Sequence, residues 1–267
     1  MRSQAITSHT RPQVLILSGL DPSGGAGIQA DIQAITSLGC HPLPVLSCLT
    51  VQDTTNVYSA EAVDADLVRR QLQCLADDTP IHAIKTGALG NSDIVEVLVD
   101  FIEAHPGIPL ITDPVIKAAG GGDLADDALI TTMKTRLFPR AEMITPNGVE
   151  LAMLGNSDNP EQAAQNLLDS GCSAVLATGG HGTGAHIINT LYDHAQTPTI
   201  WEIERIGGEY HGTGCTLAAA IAAGRASGLS RRTAIAQAQN YVHRAIAHAL
   251  KVGNGQPVPD RGILWER

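Results

Sequence analysis

Aromatic side chains are scarce in this sequence: two Phe, two Trp and four Tyr make up 3% of 267 residues. That scarcity argues against a binding surface built on aromatic stacking, and the core has to be assembled from Ala, Val, Ile and Leu. Positive charge is also short. Lys and Arg number 17 against 27 Asp and Glu, a formal net charge of −10, and no basic cluster stands out along the chain. A nucleic-acid partner is therefore not expected. No apolar run approaches the roughly 20 residues needed to cross a bilayer, and Met1 to Gln13 holds no apolar stretch of signal-peptide type. The expectation is a soluble, unexported chain with no membrane partner. The five cysteines, Cys40, Cys48, Cys74, Cys172 and Cys215, form an odd set without C-x-x-C spacing. That pattern predicts reduced thiols in a cytoplasmic setting rather than a disulfide framework or a zinc site. The absence of any G-x-x-x-x-G-K-[ST] segment excludes a P-loop NTPase.

What is present is a chain 43% hydrophobic and 16% charged, long enough to bury a sizeable core. Apolar runs of strand length recur at Val14 to Ser18, Leu43 to Leu49, Ile81 to Thr86, Pro109 to Asp113, Ala141 to Thr145 and Ala174 to Thr178. They lack the alternation of a half-solvated sheet, which predicts strands covered on both faces. Segments of helical spacing lie between them, such as Ile28, Ile32, Ile35, Leu38 and Ile94, Val95, Leu98, Val99, Ile102. The order is β-α-β-α, the signature of a mostly parallel sheet. Ser92 is expected to cap the helix that follows it, and Asn159-Pro160 and Gly171 to open and close a later one. His186 to Leu191 and Thr199 to Ile206 flank a turn with Pro198 and predict a late antiparallel hairpin. Helices over Thr216 to Ala226 and Ser230 to Leu250 close the chain. One domain over residues 13–267 is expected, preceded by a loosely attached segment, 1–12.

Each predicted strand leads into a polar or glycine-rich loop: Gly19 to Gly27, Thr50 to Asp53, Thr86 to Gly90, Asp113 to Gly122, Thr145 to Glu150 and Thr178 to Gly184. In a parallel sheet these loops share the carboxyl edge, where open α/β sheets bind ligands. The first loop opens a helix and suits an anion or a closely approaching ligand. Gly25 to Ala30 also satisfies G-x-G-x-x-A, but Asp53 comes late for the acidic residue that a dinucleotide site requires. Asp31 shares a helix side with Ile28 and Ile35, so its carboxylate needs a hydrogen-bond partner: a structural one or a ligand. In His211-Gly-Thr-Gly-Cys-Thr216 small residues open a helix and expose amides suited to phosphoryl oxygens. Cys215, in its first turn, is expected to have a depressed pKa and to serve as base or nucleophile; the alternative is a small packing residue. Asn147 and Glu150 fit a capping box or a water-mediated Mg²⁺ site, with Asp113 as a second oxygen donor. His181 reads as a loop polar group.

Laid side by side, these segments are similar to the bacterial hydroxymethylpyrimidine/phosphomethylpyrimidine kinases of thiamine synthesis, a ribokinase-like family. The matching motifs are Gly19-Leu-Asp-Pro-Ser-Gly-Gly-Ala-Gly-Ile-Gln-Ala-Asp31, Thr50-Val-Gln-Asp-Thr54, Lys85-Thr-Gly-Ala-Leu89, Asp113-Pro-Val115, Thr145-Pro-Asn-x-x-Glu150, Gly179-Gly-His181 and His211-Gly-Thr-Gly-Cys-Thr216. The resemblance implies a three-layer αβα sandwich and ATP-dependent phosphorylation of 4-amino-5-hydroxymethyl-2-methylpyrimidine, then of its monophosphate, by a homodimer. It would place Cys215 as base and Gly212, Thr213 and Gly214 around the phosphoryl group. Gly19, Asp21, Asp31 and Gln52 would meet the pyrimidine. Thr145, Asn147, Thr178, Gly179 and Gly180 would border the nucleotide, and Glu150 with Asp113 would serve Mg²⁺. Two positions depart from the family's usual pattern, Ala119 and Thr178, where a cation is expected; Lys117 stands nearby. The readings set against this one are a pyridoxal kinase of the same superfamily, a nicotinamide-dependent oxidoreductase and a pyrimidine-binding regulator without turnover.

Overall fold

A computed structural model describes residues 10–116, 124–180, 182, 184–195 and 197–262. Lys117, Ala119, Gly120 to Gly122 and His181 lie outside them.

The strands are β1 (Gln13–Leu20), β2 (His41–Gln52), β3 (Val57–Ala62), β4 (Ala83–Thr86), β5 (Leu110–Thr112), β6 (Met143–Ile144), β7 (Ala174–Ala177), β8 (His186–Asp193) and β9 (Thr199–Glu204). They form one sheet in the order β3-β2-β1-β4-β5-β6-β7-β8-β9. Its centre, β2 to β7, is parallel, while β3 joins one edge and β8 and β9 the other in antiparallel register. The apolar runs of the sequence are these central strands, with ends displaced by at most three residues. Alternate residues of β1 serve opposite layers: Leu15 and Leu17 belong to one buried cluster, Val14 and Ile16 to the other.

On the first face lie α2 (Ala65–Asp78), α3 (Ser92–Ala104), α4 (Asp127–Thr132), α5 (Gly148–Gly155) and α6 (Pro160–Asp169); on the second lie α1 (Gly27–Ser37), α7 (Thr213–Ala226) and α8 (Arg231–Ala247). Helices on both faces of a mostly parallel sheet are the predicted sandwich. Six alanines of α7, at positions 218, 219, 220, 222, 223 and 226, are buried. With no side chain longer than a methyl at those positions, the helix packs closely across β4 and β5.

Three expectations are corrected. Asn91 caps α3, its carboxamide oxygen accepting from the Ile94 amide, and Ser92 is the first helical residue; Asn and Ser are about equally good caps, so local chemistry alone does not choose between these neighbours. Thr50 to Gln52 is not loop but the end of β2, which turns at 53–56 into β3. The Asp53 carboxylate organises that turn by accepting from the amides of Thr55 and Asn56 and from the Tyr58 hydroxyl. Finally, α7 begins at Thr213, one turn earlier than its apolar pattern predicts, because Gly212 adopts the left-handed conformation (φ 82°) that closes the preceding loop.

Candidate active site

At the carboxyl edge of β1 the chain turns over Asp21. Its carboxylate accepts from the Ser23 amide at 2.9 Å, the Ser23 hydroxyl at 2.7 Å and the Ala26 amide at 2.8 Å. A fourth bond comes from His211 Nε2 at 2.9 Å. Burial pushes the Asp21 pKa up, but the His211 and Ser23 hydrogen bonds outweigh it and leave the carboxyl below its ordinary range. Gly27 must be glycine: its φ is +58°, and a Cβ would stand 2.4 Å from the Gly19 carbonyl oxygen. His211 also lies 3.3 Å from the Gln52 amide nitrogen, and the Thr50 hydroxyl donates to Gln52 Oε1 at 3.1 Å. Gln52, Asp53, Asn56, His211 and Gln256 line a pocket of about 180 Å³. That is below the roughly 300–1,000 Å³ of drug-sized sites, a size for a single small ring.

Beneath this loop is a buried charge cluster. Asp31 and Lys85, neither with any side-chain exposure, pair at 2.8 Å. The partner that Asp31 needs is therefore the lysine of β4. Burial pushes the Asp31 carboxyl up and the ammonium opposes it. Burial also works against the Lys85 charge, but Asp31, with Cys215 and Asp113 beyond it, more than offsets this and holds Lys85 protonated. The Cys215 thiol sits beside Asp113. Its pKa is raised, not depressed: burial first, then the Asp113 charge, outweigh Lys85 and the hydrogen bond to the Gly27 backbone. Cys215 therefore carries a thiol at neutral pH, which corrects the expected activated thiolate.

Gly212, Thr213 and Gly214 bring the first amides of α7 to the same edge, with no acidic side chain in the first turn to compete for them. The two glycine loops abut. A Cβ on Gly212 would lie 1.9 Å from the Gly25 carbonyl oxygen, so this approach requires glycine.

Further along, Asn147 and Glu150 form the capping box of α5: Asn147 Oδ1 accepts from the Val149 and Glu150 amides at 3.0 Å each, and Glu150 Oε2 from the Asn147 amide at 2.9 Å. Glu150 is pushed up to about 8, by burial and then by the Asp113 charge. Thr145 is buried at the end of β6, its amide bonded to Thr112. Thr178 bridges to Asn147, and the Gly179 amide donates to Asn189 Oδ1. Among the described residues no three His, Cys, Asp or Glu side chains converge on one point. The donor set nevertheless suits a hard cation: Glu150 and Asp113 are oxygen donors whose mutual repulsion a divalent ion relieves. Mg²⁺ commonly takes one or two carboxylates and completes its shell with substrate phosphates and water.

The structure thus gathers the predicted residues into three neighbouring groups: Asp21, Gln52 and Gly19; Asp31, Asp113, Cys215 and Gly212 to Gly214; Thr145, Asn147, Glu150 and Thr178 to Gly180. The sequence reading gave no role to Lys85, His211, Arg205 or Arg261. Lys85 carried a usable signal, since a lysine between Ile84 and Thr86 in a buried strand needs a counter-charge. Arg205 brings a cation to the Thr178 edge by donating to the carbonyls of Gly180 at 2.7 Å and Gly184 at 2.8 Å.

A doubly covered, mostly parallel sheet whose carboxyl edge carries a glycine-capped helix start over buried charge is the architecture of the ribokinase-like small-molecule kinases. The sequence profile described as phosphomethylpyrimidine kinase matches residues 21–259, and the chain belongs to that family. A hydroxymethylpyrimidine/phosphomethylpyrimidine kinase of Synechococcus elongatus is 38% identical over 92% of this chain and 95% of its own. Among solved structures, phosphomethylpyrimidine kinase from Clostridium difficile has a TM-score of 0.76 at 27% identity, covering 88% of this chain and 99% of its own. Pyridoxal kinase from Staphylococcus aureus, in complex with AMP-PCP and pyridoxal, has a TM-score of 0.87 at 27% identity, covering 97% and 96%.

Proposed function

We propose that the protein transfers the γ-phosphoryl group of ATP to the hydroxymethyl group of 4-amino-5-hydroxymethyl-2-methylpyrimidine and then phosphorylates the monophosphate to the diphosphate, in thiamine biosynthesis. The observation that carries this is the abutment of the Gly24–Gly25 turn on Gly212, which sets a substrate-holding loop against phosphoryl-holding amides. Phosphoryl transfer asks mainly for positioning and charge neutralisation.

In this reading Gln52 presents donor and acceptor to the polar edge of the ring, with His211, Asp21 and Gly19 bordering it. The Asp31–Lys85 pair forms the floor. The amides of Gly212 to Gly214 receive the transferring oxygens. Because Cys215 is protonated, the acceptor proton moves as a relay: Sγ takes the hydroxyl proton while its own passes to the adjacent Asp113 carboxylate, whose pKa burial raises. Thr145, Asn147, Thr178, Gly179 and Gly180 border ATP. Glu150 would hold Mg²⁺, giving up the proton that it otherwise keeps at neutral pH, and the ion would supply charge neutralisation at the phosphates. Exposed Leu49, Val51 and Tyr58 on the β2–β3 hairpin support a homodimer, and five cysteines outside any disulfide support a cytoplasmic setting.

A second reading, phosphorylation of pyridoxal, is favoured by the TM-score of 0.87 to a pyridoxal kinase. The test is incubation of the protein with the hydroxymethylpyrimidine or pyridoxal, ATP and Mg²⁺, with products resolved by mass. Pyrimidine monophosphate followed by diphosphate is expected. Pyridoxal phosphate alone overturns the first reading in favour of the second, and no phosphorylated product overturns both.

A further inference from the structure

Arg261 lies in the last described stretch of the chain, yet it is only 2% exposed. After α8 the chain doubles back. Leu250 and Val258 pair in antiparallel register, the His211 amide donates to the Pro257 carbonyl, and the Asp260 amide to that of Ala245. The Arg261 carbonyl is fixed in turn by the hydroxyls of Tyr241, at 2.9 Å, and Ser37. Its side chain then reaches under the active-site edge.

There the guanidinium serves both glycine loops at once. Nη2 donates to the Gly25 carbonyl at 2.5 Å and faces that of Gly212 at 3.5 Å. Nη1 faces the Gly24 carbonyl at 3.5 Å and Gln33 Oε1 at 3.3 Å, and Nε donates to the Thr216 hydroxyl, in the first turn of α7, at 2.8 Å. The negative ends of the Gly25 and Gly212 carbonyl dipoles point toward one spot across a contact too tight for a Cβ. Held that close without a cation, they repel. Arginine's planar fork satisfies several acceptors in fixed directions, which a lysine ammonium on a flexible stem does not.

We propose that Arg261 is a positioning residue for phosphoryl transfer: it bolts the Gly24–Gly25 turn to Gly212 and Thr216 and so sets the spacing between acceptor hydroxyl and phosphoryl-holding amides. This rests on the phosphoryl-transfer reading above. Because the guanidinium lies behind the loops and contacts carbonyls rather than their ligand-facing amides, its loss misplaces the reacting groups more than it weakens either substrate. A misplacement of about 1 Å is of the order that costs roughly 100-fold in rate.

The experiment compares Arg261→Met and Arg261→Lys with the unaltered protein, measuring kcat and KM for the pyrimidine and for ATP, together with Tm. Leu168→Ala, a core truncation in α6 on the opposite helical layer, supplies a variant of lowered Tm with the bolt intact. For Arg261→Met we expect kcat to fall about 100-fold with both KM values within about 3-fold, and for Arg261→Lys a loss of about 10-fold. A kcat within about 3-fold of the unaltered protein, or a loss no greater than that of Leu168→Ala at matched Tm, overturns the proposal. Should Arg261→Met not fold, Arg261→Lys decides: a lowered kcat at near-normal Tm supports the bolt, and an unchanged kcat overturns it. Failure of the phosphoryl-transfer reading is distinguishable, since then the unaltered protein itself forms no product.

Discussion

Lys85→Met leaves the Asp31 carboxylate buried beside an apolar side chain. The pair is 2.8 Å apart with no exposure on either side, so solvent contributes nothing to stabilising the orphaned charge. Removing one partner of such a pair typically costs about 3–5 kcal/mol. At about 2 °C per kcal/mol for a chain of this size, Tm should fall by about 6–10 °C. Protonation of Asp31 limits the loss, because burial already favours its neutral form; the deficit should therefore shrink as pH is lowered and the carboxyl is protonated. The double variant Lys85→Met/Asp31→Leu removes both charges and should recover most of the stability. It should not recover turnover, because Lys85 also supplies the positive charge facing Asp113 and Cys215. Thermal unfolding of the two single variants and the double variant gives the coupling energy, and kcat of the double gives the functional part. A single-variant loss below about 1 kcal/mol, or strictly additive losses, would refute the reasoning.

Asp21→Asn should destabilise the protein by about 1–3 kcal/mol at neutral pH, since it weakens a carboxylate with four hydrogen bonds. The folded pKa of Asp21 is depressed, so its contribution is complete above the unfolded value near 4 and is lost as pH falls below it; urea titrations should show the gap to the variant closing there, and a gap independent of pH would contradict this account. Cys215→Ala should lower kcat by about 10²- to 10⁴-fold with pyrimidine binding retained, a result that near-normal kcat would exclude. With its thiol pKa raised, Cys215 should react with iodoacetamide at pH 7 more slowly than exposed Cys74, and peptide mass mapping in which Cys215 reacts first would count against the assigned environment. Gln52→Leu should raise KM for the pyrimidine by about 5- to 150-fold, the equivalent of an unpaired polar edge, with Tm little changed; the reverse pattern would make Gln52 a structural residue.

Much of this was readable in one dimension. Parallel strands buried on both faces announce themselves as apolar runs, and the capping residues Asn147 and Asn159 follow from local chemistry alone. β3 escaped because Val57–Ala62 is an edge strand almost wholly exposed, with no apolar pattern to mark it. The need of Asp31 for a partner was legible, but its identity was not, because Lys85 is 54 positions away. The depressed pKa expected of Cys215 failed for a related reason: a helix start is visible in sequence, whereas the burial of the thiol and the approach of Asp113 from another strand end are properties of the packed sheet. Arg261 gave no signal at all, since an arginine in a polar tail ordinarily points to water.

The alanines of α7 set a tolerance as well as a fit. Each methyl at positions 218, 219, 220, 222 and 223 acts as a shim of fixed thickness between helix and neighbours, and the amides of Thr213 and Gly214 ride on the end of that stack. Thickening one shim by a single carbon, far from any ligand, would tilt the whole helix and be read out at its first turn. Enlargement along this buried seam would thus be felt as a shifted helix start before it was felt as unfolding.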